Sequence, residues 1–179
     1  VKEMEPEMIA PSHGVIWRSH TADILDAYES WSSKTPETGA LVVFDSMWHS
    51  TELMAQAIAE GFSRKQVPVH LVDLKTEHIS DILPFVLDCK YIAAGSPTLN
   101  NNMMPNMAAF LCYLKGLSPK KREAFAFGSY GWGGQSVAQV EEELVKCGFN
   151  ICMDKIRIQY VPTKEQLLEI ESKVEALVS

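Results

Sequence analysis

From residue 40 onward, apolar positions follow two alternating rhythms. Ala40-Leu41-Val42-Val43-Phe44 is a short, unbroken apolar run that ends at Asp45-Ser46. A run of that length without polar breaks predicts a strand buried on both faces. From Thr51 the spacing changes, and Leu53, Met54, Ala57 and Ile58 recur at helical intervals up to Gly61-Phe62. Val67 to Asp73 reads as a second strand, and Pro68, which cannot donate to a ladder, puts it at a sheet edge. Ile79, Ile82, Leu83 and Val86 predict a short second helix, bent or delayed by Pro84.

The alternation continues to the end of the chain. Tyr91 to Gly95 predicts a third strand, Met107 to Leu117 a third helix and Ala124 to Gly128 a fourth strand. Val137, Val140, Leu144 and Val145 predict a fourth helix that Gly148 ends, and Ile151 to Tyr160 reads as a fifth strand. Leu167, Ile170, Val174 and Leu177 mark a last helix with Thr163 as its N-cap. Five strands alternating with helices predict an α/β fold, a doubly wound parallel sheet with helices on both faces. Ligands in such sheets bind beyond the carboxyl ends of the strands, where the strand order reverses. The loops after strands one, three and four are therefore the candidate site.

Composition narrows the class only a little. The 179 residues are 46% hydrophobic and 22% charged, enough for one domain with a sizeable core. A net charge of -7 argues against nucleic acid, whose backbone needs a basic surface. No apolar run approaches the length of a bilayer span, and the polar, acidic start Val1-Lys2-Glu3-Met4-Glu5 is unlike a signal peptide. The expectation is a cytoplasmic protein with no membrane partner. Cys89, Cys112, Cys147 and Cys152 form no CxxC pair and no metal-ligand spacing with histidine, so buried reduced thiols are expected.

The first candidate loop, Ser46-Met47-Trp48-His49-Ser50-Thr51, opens directly into a helix. Its hydroxyls and the exposed N–H groups of a helix N-terminus suit a phosphate. The loop has neither the lysine and glycines of a nucleoside triphosphate site nor a GxGxxG fingerprint, so a phosphomonoester fits best. The competing reading makes Ser50 or Thr51 an ordinary helix cap. After strand three comes Gly95-Ser96-Pro97-Thr98-Leu99-Asn100-Asn101-Asn102, and after strand four Gly128-Ser129-Tyr130-Gly131-Trp132-Gly133-Gly134. Glycines admit a ligand close to the backbone, and the two aromatics suit the faces of a flat ring. Together the three loops fit a phosphorylated planar heterocycle.

These motifs resemble those of the flavodiiron proteins (A-type flavoproteins), and residues 39–179 look like the flavodoxin-like domain of that family. Ordinary flavodoxins carry Thr/Ser-x-Thr-Gly-x-Thr in the phosphate loop. Here Trp48 and His49 stand at its third and fourth places, as in the flavodiiron version. The resemblance implies a five-stranded sheet of order 2-1-3-4-5 and FMN as cofactor. It implies phosphate contacts from Ser46, Met47, His49, Ser50 and Thr51, and ring and ribityl contacts from Pro97, Thr98, Asn100, Ser129, Tyr130, Gly131 and Trp132. Trp48, Leu99 and Gly133 complete the candidate cofactor-binding set.

Residues 1–38 do not fit a flavodoxin. Pro11-Ser12-His13-Gly14 is similar to the end of the family's metallo-β-lactamase-like domain, where the corresponding histidine is the last ligand of a di-iron centre. Asp23 to Trp31 would be a helix leaving that domain, followed by a linker. His13 alone cannot hold two irons, and the His-x-Glu-x-Asp run is missing, so this chain is expected to carry no metal and to be a fragment of a longer protein. The implied role is an electron relay from a rubredoxin-like donor to a di-iron centre reducing O2 to water or NO to N2O. In the family that centre commonly belongs to the other subunit of a homodimer. No catalytic acid, base or nucleophile is evident in the loops. The rival readings are a stand-alone FMN-dependent NAD(P)H:quinone or flavin reductase and an interaction module without flavin.

Overall fold

The computed structural model describes residues 2–33, 36–117, 119 and 121–178. The chain divides into two units, Val1–Thr35 and Pro36–Ser179. In the first, Ile9 and Trp17 exchange both backbone hydrogen bonds at 2.9 Å, and Gly14, at φ 104°, turns the chain between them. His13 is exposed at that turn. The expected helix follows as α1 (Thr21–Ser33). Among the described residues no group of three or more His, Cys, Asp or Glu side chains could hold a metal ion.

The second unit is the predicted alternation. Its elements are β1 (Ala40–Phe44), α2 (Ser50–Arg64), β2 (Val69–Asp73), α3 (Ile79–Asp88), β3 (Tyr91–Gly95) and α4 (Pro105–Leu117), followed by β4 (Glu123–Tyr130), α5 (Gln135–Lys146), β5 (Asn150–Ile151), β6 (Ile156–Gln159) and α6 (Lys164–Leu177). All pairings are parallel, in the order 2-1-3-4-5. β1 and β3 are buried at every position because helices cover both faces. One core joins Leu41, Val43, Ile92, Ala94, Ala124 and Ala126 to α3, α4 and α5. The other joins Val42, Ala93, Phe125 and Phe127 to α2 and α6. The switch lies between β1 and β3, whose helices leave toward opposite faces.

Local signals act as expected at several ends. Thr163 and Gln166 form a reciprocal capping box on α6. After α5, Gly148 takes φ 82° and donates to the Val145 carbonyl at 2.8 Å, while Phe149 donates back to Leu144. Pro84 sits inside α3 without ending it. His78 accepts from the Ser80 N–H to cap α3, and His70 stacks on Phe85 at 4.0 Å.

Two expectations need correction. The predicted fifth strand is two strands: β5 pairs with Glu123 and Ala124, and β6 with Phe127 to Tyr130. Residues 152–155 run opposite only Phe125 and Ala126, so the longer strand has to bulge out and break its ladder there. Cys112 is exposed, because it lies on the outer side of α4 while Phe110, Leu111 and Leu114 face the core. The other thiols follow the expectation more closely: Cys89 and Cys147 are buried and Cys152 partly so. Burial pushes the Cys89 and Cys152 thiols up to about 11, which keeps both protonated and unreactive at neutral pH.

Helices α2 and α6 meet at Gly61. A Cβ there would lie 2.8 Å from both the Glu171 carbonyl oxygen and the Val174 Cβ. Replacing Gly61 with alanine should therefore destabilise the fold by about 1–3 kcal/mol, despite alanine's better helix propensity. Thermal unfolding by circular dichroism checks this, and an unchanged or raised midpoint would contradict the close packing.

Candidate functional site

The carboxyl ends of β1, β3 and β4 open onto one cleft of about 640 Å³, within the range of small-molecule sites. Its walls include Ser46, Met47, Trp48 and Ser50 from the first loop and Pro97, Thr98, Leu99 and Asn100 from the second. Ser129, Tyr130, Gly131, Trp132 and Gly133 come from the third. Three lining residues lay outside the expected set: Asn101, Tyr160 and Val161. Asn101 belongs to the second loop, beside the expected Asn100. Tyr160 and Val161 follow β6, and only the sheet order brings them to this edge.

The first loop is built to leave donors free. His49 is the N-cap of α2 and takes φ 64°, a left-handed conformation uncommon outside glycine. It makes no side-chain cap; its imidazole, 84% exposed, turns out to Glu52 at 2.6 Å. The first helical bond is from Leu53 N–H to the His49 carbonyl at 2.9 Å. Among the described residues, the N–H groups from Met47 through Glu52 have no hydrogen-bond partner. The caps on α3 and α6 make the contrast plain. Successive free N–H groups around a left-handed residue, at the positive end of a 15-residue helix, form an anion cradle. The Ser46 hydroxyl, 4% exposed and without a partner, adds another group in search of a ligand.

Two expected contact residues do not line the cleft. His49 points to solvent for the reason given. Thr51 is fully buried, and its hydroxyl pairs with that of Ser129 at 3.0 Å and approaches the Ser129 N–H at 3.4 Å. Its side chain thus ties the first loop to the third, and neither Ser50 nor Thr51 caps the helix through its side chain.

The second loop is braced from behind. Ser136 on α5 donates to the Ser96 carbonyl at 3.0 Å and pairs with Thr98 at 2.8 Å, while Ser96 accepts from the Met104 N–H at 2.8 Å. Leu99 and Asn102 exchange backbone bonds around Asn100 and Asn101, at φ 50° and 63°. That is the two-residue hairpin turn in which asparagine is favoured. At Gly128 a Cβ would stand 2.0 Å from the Ser96 carbonyl oxygen, so only glycine lets the second and third loops approach. The third loop carries Trp132 at 99% exposure and the first Trp48 at 84%, and both line the cleft.

Beneath the first loop lies a cost. Asp45 is fully buried, and neither carboxylate oxygen has a well-formed hydrogen bond. Burial raises its pKa above the ordinary 3.8, and Asp73 adds to this; the Ser46 backbone, Lys75 and Asn106 oppose it. Lys75, from the loop after β2, donates its ammonium to the Ser46 carbonyl. A carboxyl whose folded pKa is raised loses stability as pH climbs from 3.8 through the folded value. Asp45→Asn should accordingly raise the melting temperature of the ligand-free protein by a few degrees at pH 7, and the gain should vanish toward pH 3.8. Melting curves across that pH range test this; a loss of stability at pH 7 would contradict it.

Comparison with known proteins places these features. Residues 42–172 match the flavodoxin family. The nitric oxide reductase of Moorella thermoacetica is 35% identical over 175 residues, which are 96% of this chain and 44% of that protein. Rubredoxin oxygen:oxidoreductase of Desulfovibrio gigas superposes with a TM-score of 0.88 at 34% identity, over 97% of this chain and 44% of that one. The flavodiiron protein of Giardia intestinalis gives 0.84 at 30% identity, over 96% of this chain and 43% of that one. The chain thus spans less than half the length of the relatives it matches. By family match, strand order and these relatives, the chain belongs to the flavodoxin family and is the flavodoxin-like part of a flavodiiron protein.

Proposed function

We propose that this chain binds FMN in the cleft and relays electrons through it. One observation carries the reading: α2 begins without a side-chain cap, and the N–H groups from Met47 through Glu52 are without partners among the described residues, next in the chain to the unpartnered Ser46 hydroxyl. A phosphomonoester matches such a cradle, since it accepts several hydrogen bonds and its charge suits the helix dipole. FMN, once bound, supplies the redox chemistry. The protein's part is to hold and tune it. Ser46, Ser50 and the loop N–H groups take the phosphate, Thr98 and Asn100 stand at the ribityl side, and Trp48 and Trp132 flank the ring.

A stand-alone NAD(P)H:quinone or flavin reductase would need a second ligand seat, and no observation favours one. In the longer protein we assign the chain as the flavin half, with residues 1–38 as the end of a preceding di-iron domain and a linker. The names of the relatives suggest O2 or NO as terminal acceptor and a rubredoxin-like donor; that the irons lie across a homodimer is part of the proposal. No described helix is long and apolar enough to cross a membrane. A cytoplasmic location fits these redox partners.

Incubating the purified chain with FMN and desalting should leave flavin absorbance with the protein, bleached by dithionite. Protein that emerges colourless would end the proposal. Ser50→Glu, which puts a second anion in the cradle, should weaken FMN by about 30-fold, the equivalent of about 2 kcal/mol. Trp132→Ala should raise the dissociation constant by about 5- to 100-fold through lost ring stacking. Fluorescence titration measures both, and wild-type affinity in either variant would contradict that residue's contact.

A further inference from the structure

The chain beyond β6 reaches the cleft by a route independent of the three expected loops. Gln159 ends β6, and Tyr160 follows at φ 63°, in the left-handed region that a bulky aromatic residue seldom adopts. Two hydrogen bonds account for it. The Tyr160 N–H donates to the Tyr130 carbonyl at 2.8 Å, and the Gln159 Nε2 donates to the Gly131 carbonyl at 2.9 Å. Tyr130 is the last residue of β4 and Gly131 the first of the loop after it.

Those bonds fix the direction of two peptide groups. In a trans peptide the C=O and N–H point opposite ways. A Tyr130 carbonyl held toward β6 therefore sends the Gly131 N–H away from β6, and the Gly131 carbonyl does the same for the Trp132 N–H. Away from β6 means toward β3 and β1, because β4 lies between them in the sheet. Neither N–H has a hydrogen-bond partner among the described residues, and Gly131 and Trp132 both line the cleft. Gln159 is exposed, and its amide is bonded to the Gly131 carbonyl.

We infer that Gln159 is a positioning residue for the flavin: with the Tyr160 main chain it braces the third loop so that the Gly131 and Trp132 N–H groups face the ring's polar edge and set its reduction potential. The inference rests on FMN occupying this cleft. Adding an electron puts negative charge on the ring, and N–H donors favour that reduced form over the oxidised one. Loosening the brace should therefore weaken binding of both forms, the reduced more.

The test compares wild type, Gln159→Leu and Gln159→Glu; each variant removes the Nε2 donor, and the glutamate keeps the side chain's size. FMN dissociation constants come from fluorescence titration, midpoint potentials from redox titration of the bound flavin, and folding from thermal melts. Each variant should bind oxidised FMN about 2- to 10-fold more weakly, the worth of one hydrogen bond. The bound flavin should become harder to reduce, by 59 mV for a one-electron couple if the reduced form loses tenfold more affinity. A wild-type potential in either folded variant with FMN bound would overturn the inference while leaving the cofactor reading intact. Failure of the wild type to bind FMN would overturn both.

Discussion

Six consecutive N–H groups at the start of α2 have no partner within the described protein, and much of the site is arranged around keeping them that way. His49, where a capping side chain would stand, turns outward to Glu52. Thr51, whose hydroxyl stands in the first turn, is engaged with Ser129 and not with the helix end. An uncapped helix N-terminus gives up stability of about 0.5–2 kcal/mol in the free protein. Under the proposed function, that deficit is recovered when the FMN phosphate binds.

Holding the donors in place requires rigid surroundings, and these come from the sheet. β1 and β3 are buried on both faces, so their ends cannot shift without opening two cores at once. The second loop is then fastened to α5 through Ser136 and the third to the first through Thr51. Gly128 allows the second and third loops to lie against each other. Asp45 works the other way. Its buried carboxyl lowers stability at the start of the first loop, with Lys75 holding the Ser46 carbonyl beside it. Among the described residues, buried side-chain groups without a hydrogen bond thus collect at Asp45 and Ser46, at the carboxyl end of β1, whereas the buried Glu171 Oε2 is ion-paired with Arg64 at 2.7 Å.

Much of this was legible in the residues. Unbroken apolar runs named the buried strands, because a strand covered on both faces has no polar side to show. The change to helical spacing named the helices, and strand ends in a parallel sheet named the loops that matter. The Thr163 box, the Gly148 end of α5 and the exposed loop tryptophans are local signals that act through their immediate neighbours. The break of the fifth strand was not legible. It depends on β4 offering only Phe125 and Ala126 opposite four residues, a register that exists only once the strands pair. The exposure of Cys112 likewise depends on which side of α4 meets the sheet.

By itself, then, the sequence determined the alternation of elements and the three loops that carry donors and aromatics. These follow from periodicity, hydroxyl and glycine placement, and the fixed geometry of the backbone. Tertiary structure decided how those donors are used. It turned His49 out and Thr51 in, left Ser46 and Asp45 without partners, and carried Gln159 and Tyr160 to the third loop. The His49 turn is a local one, toward Glu52 three residues on, but the Thr51 and Gln159 outcomes rest on contacts between residues far apart in the chain, and a local pattern holds no record of such contacts until the sheet has set their distances.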